Sequence, residues 1–535
     1  MSARGVLFLL PFLLLGIWSR FAHLDRKPVW HDEAVTFLWV SGYDYNDLQR
    51  AVDQGRPVPI EDLARFRQAR PQAHLRNVTE MVRTQDPHQS VLYAVGVYLW
   101  GRYIGDSVAT VRALSAWAGV LAVVAVAWFA WELLRDRTAA ALTLALVSVS
   151  PLHVIYAQEA RVYSIWTAVV AASCAQLVIA RRTGRRAAWL LYAVTVALGL
   201  YAQALFLLVV AAQWIYSVIL DGPRAAQARR HLMWIALGAA PYAPVVLNLL
   251  HPGADLLKRT AWTAEAMPAR IWLETVAGDF CSVFFDARMR EHSPLGLLVV
   301  PIFVATAAAG YHTVRATPAA LWLLPALLVV VPYLVLGVPD LLLGGGRLPV
   351  ARYLLPSFVA LQVVVASWLA AGLRTVRRTA FATCLAALLL CGVASVLVYA
   401  RAPTCWVKSR DRYIYQLAEP LRAGPRPLVL SRNTLKLAAL SFAVPAGVDV
   451  MLIDDESNTV PEDRQRLFLL GPGQLPKRLR ARMELVEINA LAQLWQLRPA
   501  TAGTQGSADA FGSGVLTKPR LRVARVDRLA VQELD

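Results

Sequence analysis

The chain has 535 residues, 57% of them hydrophobic and only 17% charged. Soluble domains carry about a quarter charged residues, so this balance excludes an ordinary soluble protein, and apolar runs of about twenty residues point to spans of a bilayer. Lys and Arg outnumber Asp and Glu by 54 to 36, but the surplus sits in clusters between apolar runs: Arg135/Arg137, Arg181/Arg182/Arg185/Arg186, Arg224/Arg229/Arg230 and Arg374/Arg377/Arg378. That is the positive-inside pattern of a membrane protein and argues against a nucleic-acid partner.

In chain order, the first apolar run, 5–22, has no small-residue cleavage site after it and is expected to be an uncleaved span with a cytoplasmic N-terminus. An outer segment, 23–106, follows and ends in the apolar, aromatic stretch 91–103, too short to span and expected to lie at the interface. Further spans are expected near 107–134, 138–156, 162–180, 187–202, 204–220, 232–250, 295–312, 318–337, 353–373 and 379–400. This arrangement puts every basic cluster on the cytoplasmic side. It requires 187–220 to hold two helices with a turn near Gln203. Outer links fall at 251–294 and at 338–352, the latter carrying Gly344-Gly345-Gly346 and expected to be mobile. The tail from 401 to 535 alternates in type, with strands expected at 427–430, 448–453 and 466–470, a helix at 434–442 and a loop at 500–513. The expected fold class is thus an α-helical polytopic membrane protein of about eleven spans, residues 1–400, with a small C-terminal α/β extracytoplasmic domain, residues 401–535. Of the five cysteines, Cys174, Cys384 and Cys391 lie in spans, while Cys281 and Cys405 share the outer side, where a pairing is left open.

Three places concentrate polar chemistry at the outer ends of spans. Trp30-His31-Asp32-Glu33 carries adjacent carboxylates, which near a low-dielectric boundary need a cation or hydrogen-bond donors; one could act as a general base, and an ordinary solvated loop is the plainer alternative. Gln158-Glu159-Ala160-Arg161-Val162-Tyr163 holds charge near membrane depth, as a mutual pair or as a site where Arg161 faces an anion. Arg347 and Arg352 flank the outer end of the span at 353–373, where a guanidinium can clamp a phosphate or simply snorkel to headgroups. His31 and His88 are weak candidates for a divalent cation, with Glu33 as a third ligand.

Taken in order, these pieces resemble the GT-C membrane glycosyltransferases, in particular the family-39-like group that includes protein O-mannosyltransferases and the lipid A aminoarabinose transferase. The resemblance covers about residues 1–400 and runs through Asp32-Glu33, Asp86-Pro87-His88-Gln89-Ser90-Val91-Leu92-Tyr93, Gly105-Asp106-Ser107, Arg112-Ala113-Leu114-Ser115, Gln158 to Tyr163, and Arg352-Tyr353-Leu354-Leu355-Pro356. Relatives usually carry Pro-Pro where this chain has Gln89-Ser90, and often a His where it has Gln203, which puts a transferred metal role in doubt. The resemblance implies a transferase at the outer face of the plasma membrane that takes its sugar from a polyprenyl phosphate and passes it, with inversion, to a lipid, glycan or protein acceptor. In that scheme Asp32 is the base and Glu33 positions it or the acceptor, Arg161 and Arg352 hold the phosphate, and Glu159, Gln158, Tyr163 and Tyr353 complete the donor site. Two other classes stay open: a transporter or flippase of lipid-linked sugars, which would favour charge at the midplane and repeated, broken helices, and a non-catalytic member of the group.

Overall fold

A computed structural model of the chain describes residues 3–250, 261–286, 298–422, 426–454, 466–473, 475–480 and 482–499. An apolar first helix, α1 (Ala3–Phe21), leads into an outer segment built from α2 (His31–Ser41), α3 (Tyr45–Val52), α4 (Leu75–Gln85) and α5 (Val91–Tyr103). The bundle continues with α6 (Val108–Leu134), α7 (Arg137–Ser148), α8 (Pro151–Ala157), α9 (Tyr163–Thr183), α10 (Arg186–Ala202), α11 (Phe206–Asp221), α12 (Ala226–Ala239) and α13 (Ala243–Leu249). It closes with α14 (Ala269–Cys281), α15 (Val299–Ala316), α16 (Ala319–Leu343), α17 (Leu355–Gly372) and α18 (Arg378–Arg401).

Among the described residues six helices are long and apolar enough to cross a membrane, or seven if α7 and α8, bent by 57° at their junction, form one span. The protein is a multi-pass membrane protein. All eleven segments expected to span carry a helix, but α10 and α11 have only 17 and 16 residues, at or below the short end of what crosses a bilayer. The break between α7 and α8 falls where Pro151, which lacks an amide donor, opens α8. The turn expected near Gln203 is present, with Gln203 extended between α10 and α11. One end of the bundle collects the basic clusters in ion pairs: Arg374 with Asp136, Arg181 with Asp221, and Arg182 with Glu132. At the other end, α1 closes on α7 because Gly16 leaves room; a Cβ there would sit 2.5 Å from the Ser148 carbonyl. Fully buried Arg20 is tolerated in this apolar setting because it donates to the carbonyls of Gly16, Val147 and Ser148 beside the α7–α8 break.

The stretch expected to lie flat at the interface, α5, packs its Tyr93, Ala94, Val97 and Gly101 face inward, with Gly101 close against Val40 of α2. The glycine-rich link after α16 is tied down, since Asp340 accepts from Arg347 at 2.9 Å and from the Leu348 amide at 2.8 Å. Cys281 and Cys405 are both buried, and no disulfide joins them. In the tail, three expected strands form as β2 (Leu428–Ser431), β3 (Asp449–Leu452) and β4 (Leu467–Leu470), with the expected helix, α19 (Thr434–Ala443), after β2. Beyond them, β5 (Met483–Asn489) and β6 (Leu494–Pro499) add a hairpin. A short strand of the first outer segment, β1 (Val58–Pro59), joins from the other side, giving the order β1-β3-β2-β4-β6-β5. β2 runs parallel to β3 and β4, and the remaining pairs are antiparallel. The sheet therefore ties the tail to the outer segment, and Phe442 of α19 packs on Phe37 of α2 with ring centroids 4.9 Å apart. The loop expected at 500–513 lies outside the described residues.

Candidate active site

The turns opposite the basic end enclose a cavity of about 590 Å³, within the size range of small-molecule sites. Its walls come from the start of α2 (Trp30, His31, Asp32), the turn before α5 (His88, Gln89, Ser90) and the turn into α9 (Arg161, Tyr163). The α10–α11 turn and the entry to α17 (Arg352, Tyr353) complete them, with Trp262 and Arg347. Of the residues singled out in the sequence, Asp32, Arg161, Tyr163, Arg352, Tyr353, His31 and His88 thus share one chamber.

Asp32 and Glu33 occupy the first turn of α2, where carboxylates meet the positive end of the helix dipole. Successive residues on a helix point about 100° apart, so the two acids face different surroundings. Asp32 faces the cavity, with its side chain 21% exposed. Burial would raise its carboxyl pKa, but Arg161, Arg352 and His31 outweigh burial and hold it below the ordinary aspartate value. Arg161 is largely committed already, donating to the Asp32 carbonyl at 3.0 Å and to Gln89 Oε1 at 2.8 Å. Arg352 differs. Among the described residues its guanidinium has no hydrogen-bond or ion-pair partner, and it is surrounded by the rings of Trp30, Tyr163, Trp262 and Tyr353 at 5.6–6.0 Å.

Glu33 turns away from the cavity and is fully buried. It binds Arg112 bidentately at 2.7 Å per bond, accepts from Lys408 at 2.8 Å and takes the Ala160 amide at 2.9 Å. With both oxygens engaged, Glu33 is placed to hold the α2 and α8–α9 turns rather than to touch an acceptor. Burial would raise its carboxyl, but Arg112 and Lys408 bring it down to about 2. Arg112 also gathers the carbonyls of Leu24, Lys27 and Pro28, and so shapes the chain that enters α2. Gln158 and Glu159, expected to contact the donor, do not line the cavity. Gln158 donates to the carbonyls of Ser19, in the last turn of α1, and of Ala22 just beyond it, groups a helix terminus leaves unsatisfied. Glu159 is buried and 3.4 Å from Lys408; burial, with Glu33 close by, pushes its carboxyl up to about 7 against the pull of Lys408.

Lys408 carries no local signal in the sequence, because it follows the last span and its partners Glu33 and Glu159 lie far away in the chain. A Lys408→Met change is expected to destabilise the protein by about 3–5 kcal/mol, as breaking a buried ion pair does. Because Glu159 holds a proton below about pH 7 in the folded chain and ionises above it, the loss should be larger at pH 8 than at pH 5. Thermal melting in detergent at the two pH values checks this; equal melting temperatures for variant and wild type at pH 8 would contradict it.

His31 Nδ1 lies 2.7 Å from Asp411 and His31 Nε2 lies 3.5 Å from Asp32, whereas His88 Nδ1 lies 2.9 Å from Asp86. Glu33 cannot join the histidines as a third metal ligand, since Arg112 and Lys408 occupy its oxygens. Among the described residues no group of three or more His, Cys, Asp or Glu is arranged to hold a metal ion.

A scan against protein-family models finds no match, and a search of curated proteins finds none. Solved structures do match. ArnT from Cupriavidus metallidurans bound to undecaprenyl phosphate superposes with a TM-score of 0.52 at 12% identity, covering 93% of this chain and 98% of that one. The same protein in the apo state gives 0.50 at 12% identity with the same coverage. The Archaeoglobus fulgidus oligosaccharyltransferase in the apo form gives 0.48 at 13% identity, over 82% of this chain and 64% of that one. The likeness is one of fold: over most of its length the chain shares the fold of ArnT.

Proposed function

We propose, from the GT-C fold shared with ArnT and the charges converging on its outer cavity, that this chain is a glycosyltransferase. It takes a sugar from a polyprenyl-phosphate donor and passes it to a lipid, glycan or protein acceptor at the outer face of the plasma membrane, with inversion. The observation that carries this reading is Arg352, a guanidinium with no hydrogen-bond or ion-pair partner among the described residues, facing the same cavity as the ionised carboxylate of Asp32. A planar cation without such a partner in an aromatic-walled chamber is suited to an anion that makes bidentate hydrogen bonds, and a phosphate is such an anion. The fold accommodates one in ArnT, whose structure contains undecaprenyl phosphate.

Polyprenyl phosphate departs as a stable anion, so the reaction needs a base for the acceptor and positive charge for the leaving phosphate. Asp32 is the base. Arg352 takes the phosphate, and Arg161, fixed by Gln89 and the Asp32 carbonyl, adds positive charge and aligns the base. An arriving phosphate also neutralises the cations that depress the Asp32 carboxyl, so its basicity rises once the donor is seated. Attack by the activated acceptor on the anomeric carbon, opposite the phosphate, inverts that centre. Tyr163 and Tyr353 wall the donor site, and Glu33 positions the α2 turn.

The test is incubation of the purified protein in detergent with a panel of radiolabelled undecaprenyl-phosphate sugars and membrane extract. Sugar transfer, or slow donor hydrolysis in the absence of acceptor, is expected for one donor. Donor binding without turnover across the panel and extract would favour a transporter or a non-catalytic protein, and absence of donor binding would overturn the reading.

A further inference from the structure

We infer that the segment opening the C-terminal tail positions the catalytic turn of α2, with Asp411 capping that helix from 380 residues away. The inference rests on the reading of Asp32 as the base. Helices leave their first amide donors unsatisfied, and Ser, Thr, Asp or Asn at the N-cap usually supplies the acceptor. The N-cap of α2 is Trp30, which makes no side-chain cap bond. Asp411 fills the role: its Oδ2 accepts from the His31 backbone amide at 2.9 Å and lies 2.7 Å from His31 Nδ1. Its side chain is 5% exposed, and its charge meets the positive end of the helix.

A second pin comes from the same segment. Lys408, three residues earlier, reaches Glu33 at 2.8 Å. The residues on either side of Asp32 are thus both held from 408–411, while the Asp32 carboxylate itself stays open to the cavity. α19 adds a third contact, through Phe442 against Phe37. The tail is therefore a working part of the site: it fixes the start of α2, and with it the direction of the base, without touching the reacting atoms. Asp411 is a positioning residue.

The experiment uses the full chain in nanodiscs with a radiolabelled undecaprenyl-phosphate sugar that the wild type turns over, and compares Asp411→Ala, Asp411→Asn and Asp32→Asn. Misplacement of a catalytic group by about 1 Å costs up to about 10²-fold, so Asp411→Ala is expected to lower kcat by about tenfold or more with KM within about twofold. Asp411→Asn keeps an oxygen for the His31 amide and should recover most of kcat. Wild-type kcat in Asp411→Ala, or equal losses in both variants, would overturn the inference. If Asp411→Ala does not fold, Asp411→Glu decides, since it keeps the charge but displaces the acceptor by a methylene: a fall in kcat supports the cap and wild-type kcat overturns it. An active Asp32→Asn would bring down the underlying reading, whereas an inactive Asp32→Asn beside an intact Asp411→Ala removes only the role of the tail.

Discussion

Replacing Asp32 by Asn is expected to lower donor turnover by about 10²–10⁴-fold, the range typical of a lost general base, with donor binding and melting temperature near wild type. The substitution is nearly isosteric, and the Asp32 carboxylate holds no structure together: its nearest ion-pair neighbour, His31 Nε2, is 3.5 Å away. Stability should therefore survive. The neighbouring acid provides the control. Glu33→Gln breaks a fully buried cluster with Arg112 and Lys408, so its loss of activity should come with a lowered melting temperature. A pH profile separates the roles further. Because Arg161 and Arg352 hold the Asp32 carboxyl below the ordinary value, kcat/KM, which reports the free enzyme, should persist to a more acidic pH than an ordinary aspartate base would allow. Turnover by Asp32→Asn at the wild-type rate would remove Asp32 from the chemistry, and a combined loss of turnover and stability would make it structural.

The membrane-embedded helices were legible because a bilayer imposes length and apolarity on each crossing, and the basic turns mark one end. The turn at Gln203 was legible only through the charge pattern, since one long tilted helix over 187–220 would place Arg374, Arg377 and Arg378 on the outer side. Strands β2, β3 and β4 were legible as short apolar runs. β1 was not, because two residues, Val58 and Pro59, acquire strand geometry only by pairing with β3. The site divides along similar lines. Asp32, Arg161 and Arg352 stood out as charges at span ends. Gln158 and Glu159 stood out for the same reason but point into the protein, since the side to which a turn residue faces is set by packing against α1 and the tail. Lys408 and Asp411 carried no local signal; their partners are 375 and 380 residues away. Arg112 left one clue, a cation in the first turns of an apolar helix, which requires a buried anion somewhere, but nothing nearby identified Glu33 as that anion.

Arg352→Gln should weaken binding of undecaprenyl phosphate by about 10²-fold. Hydrogen bonds to charged groups contribute about 1.5–3 kcal/mol each, so losing even one bidentate pair removes about 3 kcal/mol. Unlike Arg161, Arg352 has no protein hydrogen bonds among the described residues to lose, and the Asp32 carboxylate keeps Arg161 and His31 beside it when Arg352 is removed. The variant should therefore melt near wild type, and the defect should appear in donor affinity and in kcat/KM. Arg352→Lys refines the test, because an ammonium supplies the charge but not the planar fork that fits between Trp30, Tyr163, Trp262 and Tyr353. It should recover only part of the affinity. Titration of undecaprenyl phosphate against the three proteins reads this directly. Wild-type affinity in Arg352→Gln would mean that the guanidinium serves the aromatic wall alone, and the phosphate would then have to be met by Arg161 at the cost of its bonds to Gln89 and Asp32.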